Sequence, residues 1–469
     1  MRYLIIFGFI AICLQAYPQT DSLQFYLETA AKNNPTVQRK FTEYRAALQK
    51  IPQVGGLPDP SLSLGVFLSP MELVSGNQAA DIRLMQMFPW FGVLKAAKDE
   101  MSLMAKAKYE SFRDTKLQLF FELQQSWYEL YKVREALIIS QKNMEMLYSL
   151  EQISLVRFRT ASQGNVGVSA PASMQTGSPT PGNQGSPGMQ TMGVKTGSTI
   201  NAAGITSPGT MQGSSGGTGL ADLYRIQMEV GELENSIALL KNQQNTIAAR
   251  FNSYMNRPAQ TLVTLPDTIR PDVLNIPLEA ISDSMLTNNP MLGMLNYEKK
   301  SFEARKLMVT KMGYPMVGLG LNYSLINQNP MSTSEMNGKD MIMPMVTVTL
   351  PIYRKKYKAM QTEADLLHTA ASQGIQATAN SLQTDYYDAL QNYQDAERRI
   401  DLYTNQYLLA SSSLNILMKS FSTSGTGLTD LLRARQQTLD YGLKQVNAVA
   451  DFNTAIARLR RLMAFNEIQ

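Results

Sequence analysis

The chain states one pattern twice, so whatever it folds into must set two like units side by side. Asn33-Asn34-Pro35 recurs as Asn288-Asn289-Pro290, and Phe88-Pro89-Trp90-Phe91 as Leu350-Pro351-Ile352-Tyr353. Trp127-Tyr128-Glu129 recurs as Tyr386-Tyr387-Asp388, and Gly219-Leu220-Ala221-Asp222-Leu223 as Gly427-Leu428-Thr429-Asp430-Leu431. The spacing between copies is nearly constant until the last pair, where it drops by roughly 55 residues, which marks one insertion in the first copy. The drop coincides with a Gly-, Pro- and Ser-rich stretch, 164–218, that holds one charged residue, Lys195, and no aromatic residue. Such a stretch buries too little apolar surface to offset the entropy of ordering it, so it reads as a flexible insert. The boundaries that follow are a leader over 1–19, a first repeat over 20–257, a proline-containing linker over 258–277 and a second repeat over 278–469.

Arg2 precedes an apolar run, Tyr3 to Leu14, too short to span a bilayer and followed by the small Ala16. This is the pattern of a secretory signal peptide cleaved near Ala16, and it predicts an exported protein. Cys13, the sole cysteine, falls within the run; lipidation there is disfavoured because Ile12 stands where a small residue is required. No other segment offers 18 uninterrupted apolar residues, so a membrane role must use strands. The net charge of +5 is spread along amphipathic segments and gives no footprint for nucleic acid.

Proline is absent from Trp90 to Ala170 and from Ile352 onward. Apolar positions from Leu382 through Tyr386, Ala389, Tyr393, Ala396, Ile400, Tyr403, Tyr407, Ala410, Leu414 and Leu417 to Phe421 step by alternating threes and fours, a coiled-coil seam. The first copy carries the same seam at Phe120, Leu123, Trp127, Leu130, Leu137, Met144 and Tyr148, interrupted by Arg134 and Gln141. A helix from Val93 to Phe158 would be close to ~100 Å long, a strut rather than a globular element. Return helices are expected over Leu220 to Asn256 and Leu428 to Ala464, so each repeat ends in a helical hairpin with a Gly-rich tip.

Ahead of each strut lies a β-hairpin, at about 61–88 and about 315–350. Leu62, Leu64, Val66 and Leu68 alternate with Ser61, Ser63, Gly65 and Phe67, and a loop over Ser69 to Ala80 leads to a strand over Asp81 to Phe88. Val317, Leu319, Leu321, Tyr323 and Leu325 alternate with Gly318, Gly320, Asn322 and Ser324, and a loop through Asn337-Gly338 leads to Met341–Leu350. Period two with one apolar side fits transmembrane strands and also a soluble sheet packed on one face. Export, and struts too long to fold back over a compact sheet, favour the membrane. Four strands cannot close a barrel and lipid offers no partner to an open edge, so membrane strands here require several copies of the chain.

With the leader, the two repeats, the aromatic-Pro and Leu-Pro pairs and the Gly-Leu-x-Asp-Leu tips in view, the chain resembles the TolC family of outer-membrane efflux proteins over nearly all of its mature length. The resemblance implies a mainly helical fold with four β-strands per chain in a shared trimeric barrel, continued by a periplasmic α-barrel. It implies a homotrimer in the outer membrane of a Gram-negative bacterium, docked to a periplasmic adaptor and an inner-membrane pump of the resistance-nodulation-division type. It would be a passive exit duct for small toxic solutes, drugs or metal ions, without a cofactor. Asp222 and Asp430 fall on the family's tip motif and are the periplasmic gate candidates, against the plainer role of carboxylates in the first turn of a helix. Arg433 stands where a second acid is expected, which puts a selectivity ring of two acids per tip in doubt.

Methionine is plentiful, at 28 residues, but the four in the insert, Met174, Met189, Met192 and Met211, are no enrichment. In the strands Met341, Met343 and Met345 alternate with Ile342, Val346 and Val348, and Met85 and Met87 continue a face begun by Asp81 and Arg83. If those polar residues mark a lumen, five thioethers per chain face it, as ligands for a soft metal or as flexible filler. Gln86 and Pro344 fall on the opposite, lipid side and break its apolar pattern. His368 is the only histidine, so zinc sites and nucleophile–histidine pairs have nothing to build on and no catalysis is expected. The rival from another class is a soluble exported coiled-coil protein with a structural or adaptor role.

Overall fold

The structure is a computed structural model and describes residues 23–73, 75–163, 218–274, 277–423 and 427–465. The leader with Cys13 and residues 164–217 of the insert lie outside the described residues.

Both repeats run helix, helix, β-hairpin, strut, return helix. The first comprises α1 (Leu23–Asn33), α2 (Pro35–Gly55), β1 (Ser61–Leu73), β2 (Gly76–Phe88), α3 (Val93–Gln163) and α4 (Thr218–Tyr254). The second comprises α5 (Leu278–Asn288), α6 (Pro290–Met312), β3 (Met316–Asn327), β4 (Met341–Thr349), α7 (Arg354–Thr423) and α8 (Leu428–Leu462).

The repeated Asn-Asn-Pro motif does the same work in each copy. Asn34 caps α2, its side chain accepting from the amides of Thr36 (2.9 Å) and Val37 (3.2 Å), while Pro35 sits at the first helical position, where no amide is needed. Its Nδ2 donates to the Tyr254 carbonyl at 2.9 Å, pinning the entry helices to the end of the return helix. Asn289 repeats this on α6, accepting from the Met291 amide (2.9 Å) and donating to the Leu462 carbonyl (3.5 Å). Each motif thus closes its own repeat.

The struts hold 71 and 70 residues, about 105 Å each at 1.5 Å per residue. Their seams are buried at Phe120, Leu123, Trp127, Leu130, Leu137 and Met144 on α3 and at Leu382, Tyr386, Ala389, Ala396, Leu414 and Phe421 on α7. Two expected seam tyrosines are turned out: Tyr148 is 44 % exposed with its hydroxyl 3.1 Å from Glu234 Oε1, and Tyr407 is 39 % exposed. Arg134, which breaks the first seam, donates to the carbonyls of Leu265 (3.0 Å) and Pro266 (2.6 Å), so the interruption straps the inter-repeat linker to the strut. The core is a string of clusters along the struts. One holds Tyr26, Leu123 and Phe251, with Tyr26 edge-on to Phe251 at 5.1 Å; its counterpart in the second repeat holds Ile281, Met285 and Leu459.

The sheet order is β1-β2-β3-β4, antiparallel throughout. The second hairpin falls where the alternation predicts it. The first differs: most of the loop expected over Ser69 to Ala80 is strand, because Met71, Glu72 and Leu73 pair with Gln78, Asn77 and Gly76. The ladder is broken only between Val66 and Met71, the interval holding Pro70, which has no amide to donate. The tight return uses Gly76 at φ 119°, and Gly338 at φ 79° closes the neighbouring loop by donating to the Ser75 carbonyl at 3.0 Å.

Candidate channel wall and helical tips

Residues paired across antiparallel strands share a face, so the register sorts the sheet without further assumption. One face carries Ser61 and Ser63, then Asp81, Arg83, Met85 and Met87, then Gly318, Gly320, Asn322 and Ser324, then Met341, Met343, Met345 and Thr347. Met85, Met87, Met341, Met343 and Met345 therefore lie with the polar residues, as the alternation predicts. The other face carries Leu62, Leu64 and Val66, then Ile82 and Leu84, then Leu319, Leu321 and Leu325, then Ile342, Val346 and Val348.

This apolar face is uncovered: Leu64 is 69 % exposed, Leu319 53 % and Val346 71 %. Each such side chain forgoes about 1.5–3 kcal/mol by facing water. Scaled by that partial exposure and summed over the face, the loss is of the same order as the ~5–15 kcal/mol net stability of a folded domain. The two residues that break its pattern are accommodated locally. Gln86 turns its amide onto the carbonyls of Pro58 (2.7 Å) and Met87 (3.0 Å), and Pro344 lies on β4, an edge strand, where proline is tolerated. At the strut end of the sheet Trp90 stacks on Tyr314 with ring centroids 5.3 Å apart, beside the exposed Phe91 and Tyr353. Among the described residues no helix is long and apolar enough to cross a membrane.

At the far end of the struts, Leu147 and Leu150 of α3, Ile226 and Leu233 of α4, Leu414 and Phe421 of α7, and Leu428, Leu431 and Leu432 of α8 form one cluster. Asp222 is half-buried on α4; Asp430, in the first turn of α8, and Arg433 are exposed. Two side-chain contacts join the tips. Arg225 Nη1 donates to Thr429 Oγ1 at 2.7 Å. Arg435 of α8, 2 % exposed, reaches Glu229 Oε2 of α4 at 2.5 Å, and burial pulls its pKa down against the upward pull of Glu229. Its Nε and Nη1 have no hydrogen-bond partner among the described residues.

Sequence reasoning missed this pair, although a signal was there. Leu428, Leu431, Leu432 and Arg435 fall at i, i+3, i+4 and i+7, so Arg435 occupies a core position and needs a partner. Mid-strut charges are also shared between helices: Asp451 of α8 pairs with Lys132 of α3 and with Arg399 of α7 (3.1 Å). Among the described residues no group of three or more His, Cys, Asp or Glu is arranged to hold a metal. His368 Nε2 lies 3.0 Å from Glu303 Oε1, joining α7 to α6.

No family model and no curated protein sequence matches the chain. Solved structures do. The outer-membrane protein VceC of Vibrio cholerae is 12 % identical, with 95 % of this chain and 97 % of that one aligned at a TM-score of 0.66. The CmeC outer-membrane channel of Campylobacter jejuni is 12 % identical over 94 % of this chain and 85 % of its own, at 0.69. The MtrE outer-membrane channel of Neisseria gonorrhoeae, in its open state, is 13 % identical over 94 % and 88 %, at 0.64. The chain has the TolC-like fold of outer-membrane channels.

Proposed function

We propose that the chain is one subunit of a passive outer-membrane exit duct, a homotrimer that docks through its helical tips to a periplasmic adaptor and an inner-membrane pump. One observation carries this: a four-stranded sheet with an uncovered aliphatic face, an opposite polar face and two unpaired edges, mounted on struts of about 105 Å. Lipid accounts for the apolar face, a water-filled lumen for the polar one, and pairing of β4 with β1 of the next copy for the edges. The struts then continue the pore across the periplasm. Similarity in fold to channels from three Gram-negative pathogens supports the same reading. The cargo class is small toxic solutes, drugs or metal ions, chosen by the pump.

Asp222 and Asp430 are the gate carboxylates on this reading, and they set the test. Purified protein in planar bilayers should give single-channel steps with cation preference. Replacing both with Ala removes negative charge from the constriction, so conductance rises and cation preference falls. An unaltered current–voltage curve from folded D222A/D430A protein removes these residues from the gate. Absence of any channel, together with recovery of the protein without detergent, would instead favour the soluble coiled-coil alternative.

A further inference from the structure

A polar lumen wall needs small and hydrophilic residues; it does not need thioethers laid over bare glycines. Met85 of β2, Gly320 of β3 and Met345 of β4 form one cross-strand row, and Met87, Gly318 and Thr347 form the next. A Cβ placed on Gly318 would stand 2.5 Å from the Met87 sulphur, and one on Gly320 would stand 3.6 Å from the Met85 methyl carbon. The thioether arms of β2 therefore lie across β3, in the space its glycines leave open. Met345 flanks Gly320 from the other side, and Met343 follows on the same face of β4. Two strands apart, β2 and β4 are separated by roughly 9.5 Å, a gap that two methionine side chains reaching inward can close.

We propose that Met85 and Met345, placed on either side of Gly320 with Met87 and Met343 alongside, form a thioether site for a soft monovalent cation of the Cu(I) or Ag(I) class. Neutral, polarizable sulphur favours such ions over Na⁺, K⁺, Mg²⁺ or Ca²⁺, which take oxygen. Asp81 and Arg83, further along β2 on the same face, are of opposite charge and leave the local field near neutral, so selectivity comes from the sulphur donors. The proposal rests on the exit-duct reading only in placing the site on the inner wall of a pore.

Leucine matches methionine in bulk and apolarity but has no donor, so Met→Leu separates a ligand from a space-filler. The experiment is equilibrium dialysis of the detergent-solubilised full chain against Ag(I) in chloride-free buffer with excess K⁺, with oligomer mass read on the same samples. The wild type is expected to retain Ag(I), M85L/M345L to lose that binding, and the control M291L/M331L to keep it. Equal Ag(I) content in the wild type and M85L/M345L would overturn the site. If M85L/M345L does not assemble, X-ray absorption at the silver edge of the loaded wild type decides: a sulphur-only first shell supports the site and an oxygen or nitrogen shell refutes it. An assembled oligomer without Ag(I) binding fails the site and keeps the duct, while a monomer that loses Ag(I) on M85L/M345L substitution fails the duct and keeps the site.

Discussion

Glu229→Gln isolates what ties the two hairpin tips of a subunit together. The substitution keeps the shape and removes the charge that faces Arg435, leaving a guanidinium with 2 % exposure and two nitrogens without partners among the described residues. Breaking a fully buried ion pair costs about 3–5 kcal/mol. Glu229 is 34 % exposed, so water already screens part of the attraction, and about 2 kcal/mol is the appropriate figure. The cost falls on the local cluster of Ile226, Leu428, Leu431 and Leu432 rather than on the whole molecule. Hydrogen exchange of the first turns of α8 should therefore quicken about 30-fold, while amides near Asn34 and Tyr254 are unchanged. The double variant E229M/R435M replaces the pair with apolar side chains and should return exchange close to wild type. Unchanged exchange in E229Q would show that the pair does not hold the tips.

Other expectations follow from the same geometry. Asn34→Ala loses two cap bonds and the bond to Tyr254, about 2 kcal/mol, and should loosen α2 by hydrogen exchange more than Asn289→Ala loosens α6, whose cap accepts one amide and whose cross-link is 3.5 Å long; equal effects would refute this ranking. Burial raises the Glu100 carboxyl above its ordinary value, with Arg305 opposing. A raised carboxyl pKa stabilises the fold at low pH, and that contribution is lost as pH rises through the folded pKa. Glu100→Gln should therefore raise the melting temperature at pH 7.5 and narrow its gap from pH 5; an unchanged gap refutes the assignment. Deleting 164–218 should leave oligomer assembly intact, because the second repeat turns between α7 and α8 in a few residues; loss of the oligomer would make the insert structural.

What the sequence made legible was periodicity. The heptad seams located the struts and the alternation of Val317 to Leu325 located β3, because each pattern repeats at the period of the element that carries it. Where periodicity lapsed, the reading lapsed. Residues 69–80 look like a loop because Pro70 and the polar Glu72, Asn77 and Gln78 break the alternation, yet backbone pairing of Met71 to Leu73 with β2, and of Asn77, Gln78 and Ala80 with β3, carries the strands through. Arg134 looked like a flaw in a seam because its carbonyl partners, at Leu265 and Pro266, lie far away in sequence. At the tips the repeated motif drew attention to Asp222 and Asp430, whereas Arg225, Glu229 and Arg435, which also join the hairpins, lie outside the repeated motif.

The central claim is that the open edges of β1 and β4 are satisfied by other copies of the chain. Native mass spectrometry of the protein released from mild detergent tests it most directly. The account predicts the mass of three chains, persisting until detergent or heat disrupts the strands. A single-chain mass from folded protein would contradict it, since two unpaired strand edges would then have to stand in the membrane without a partner.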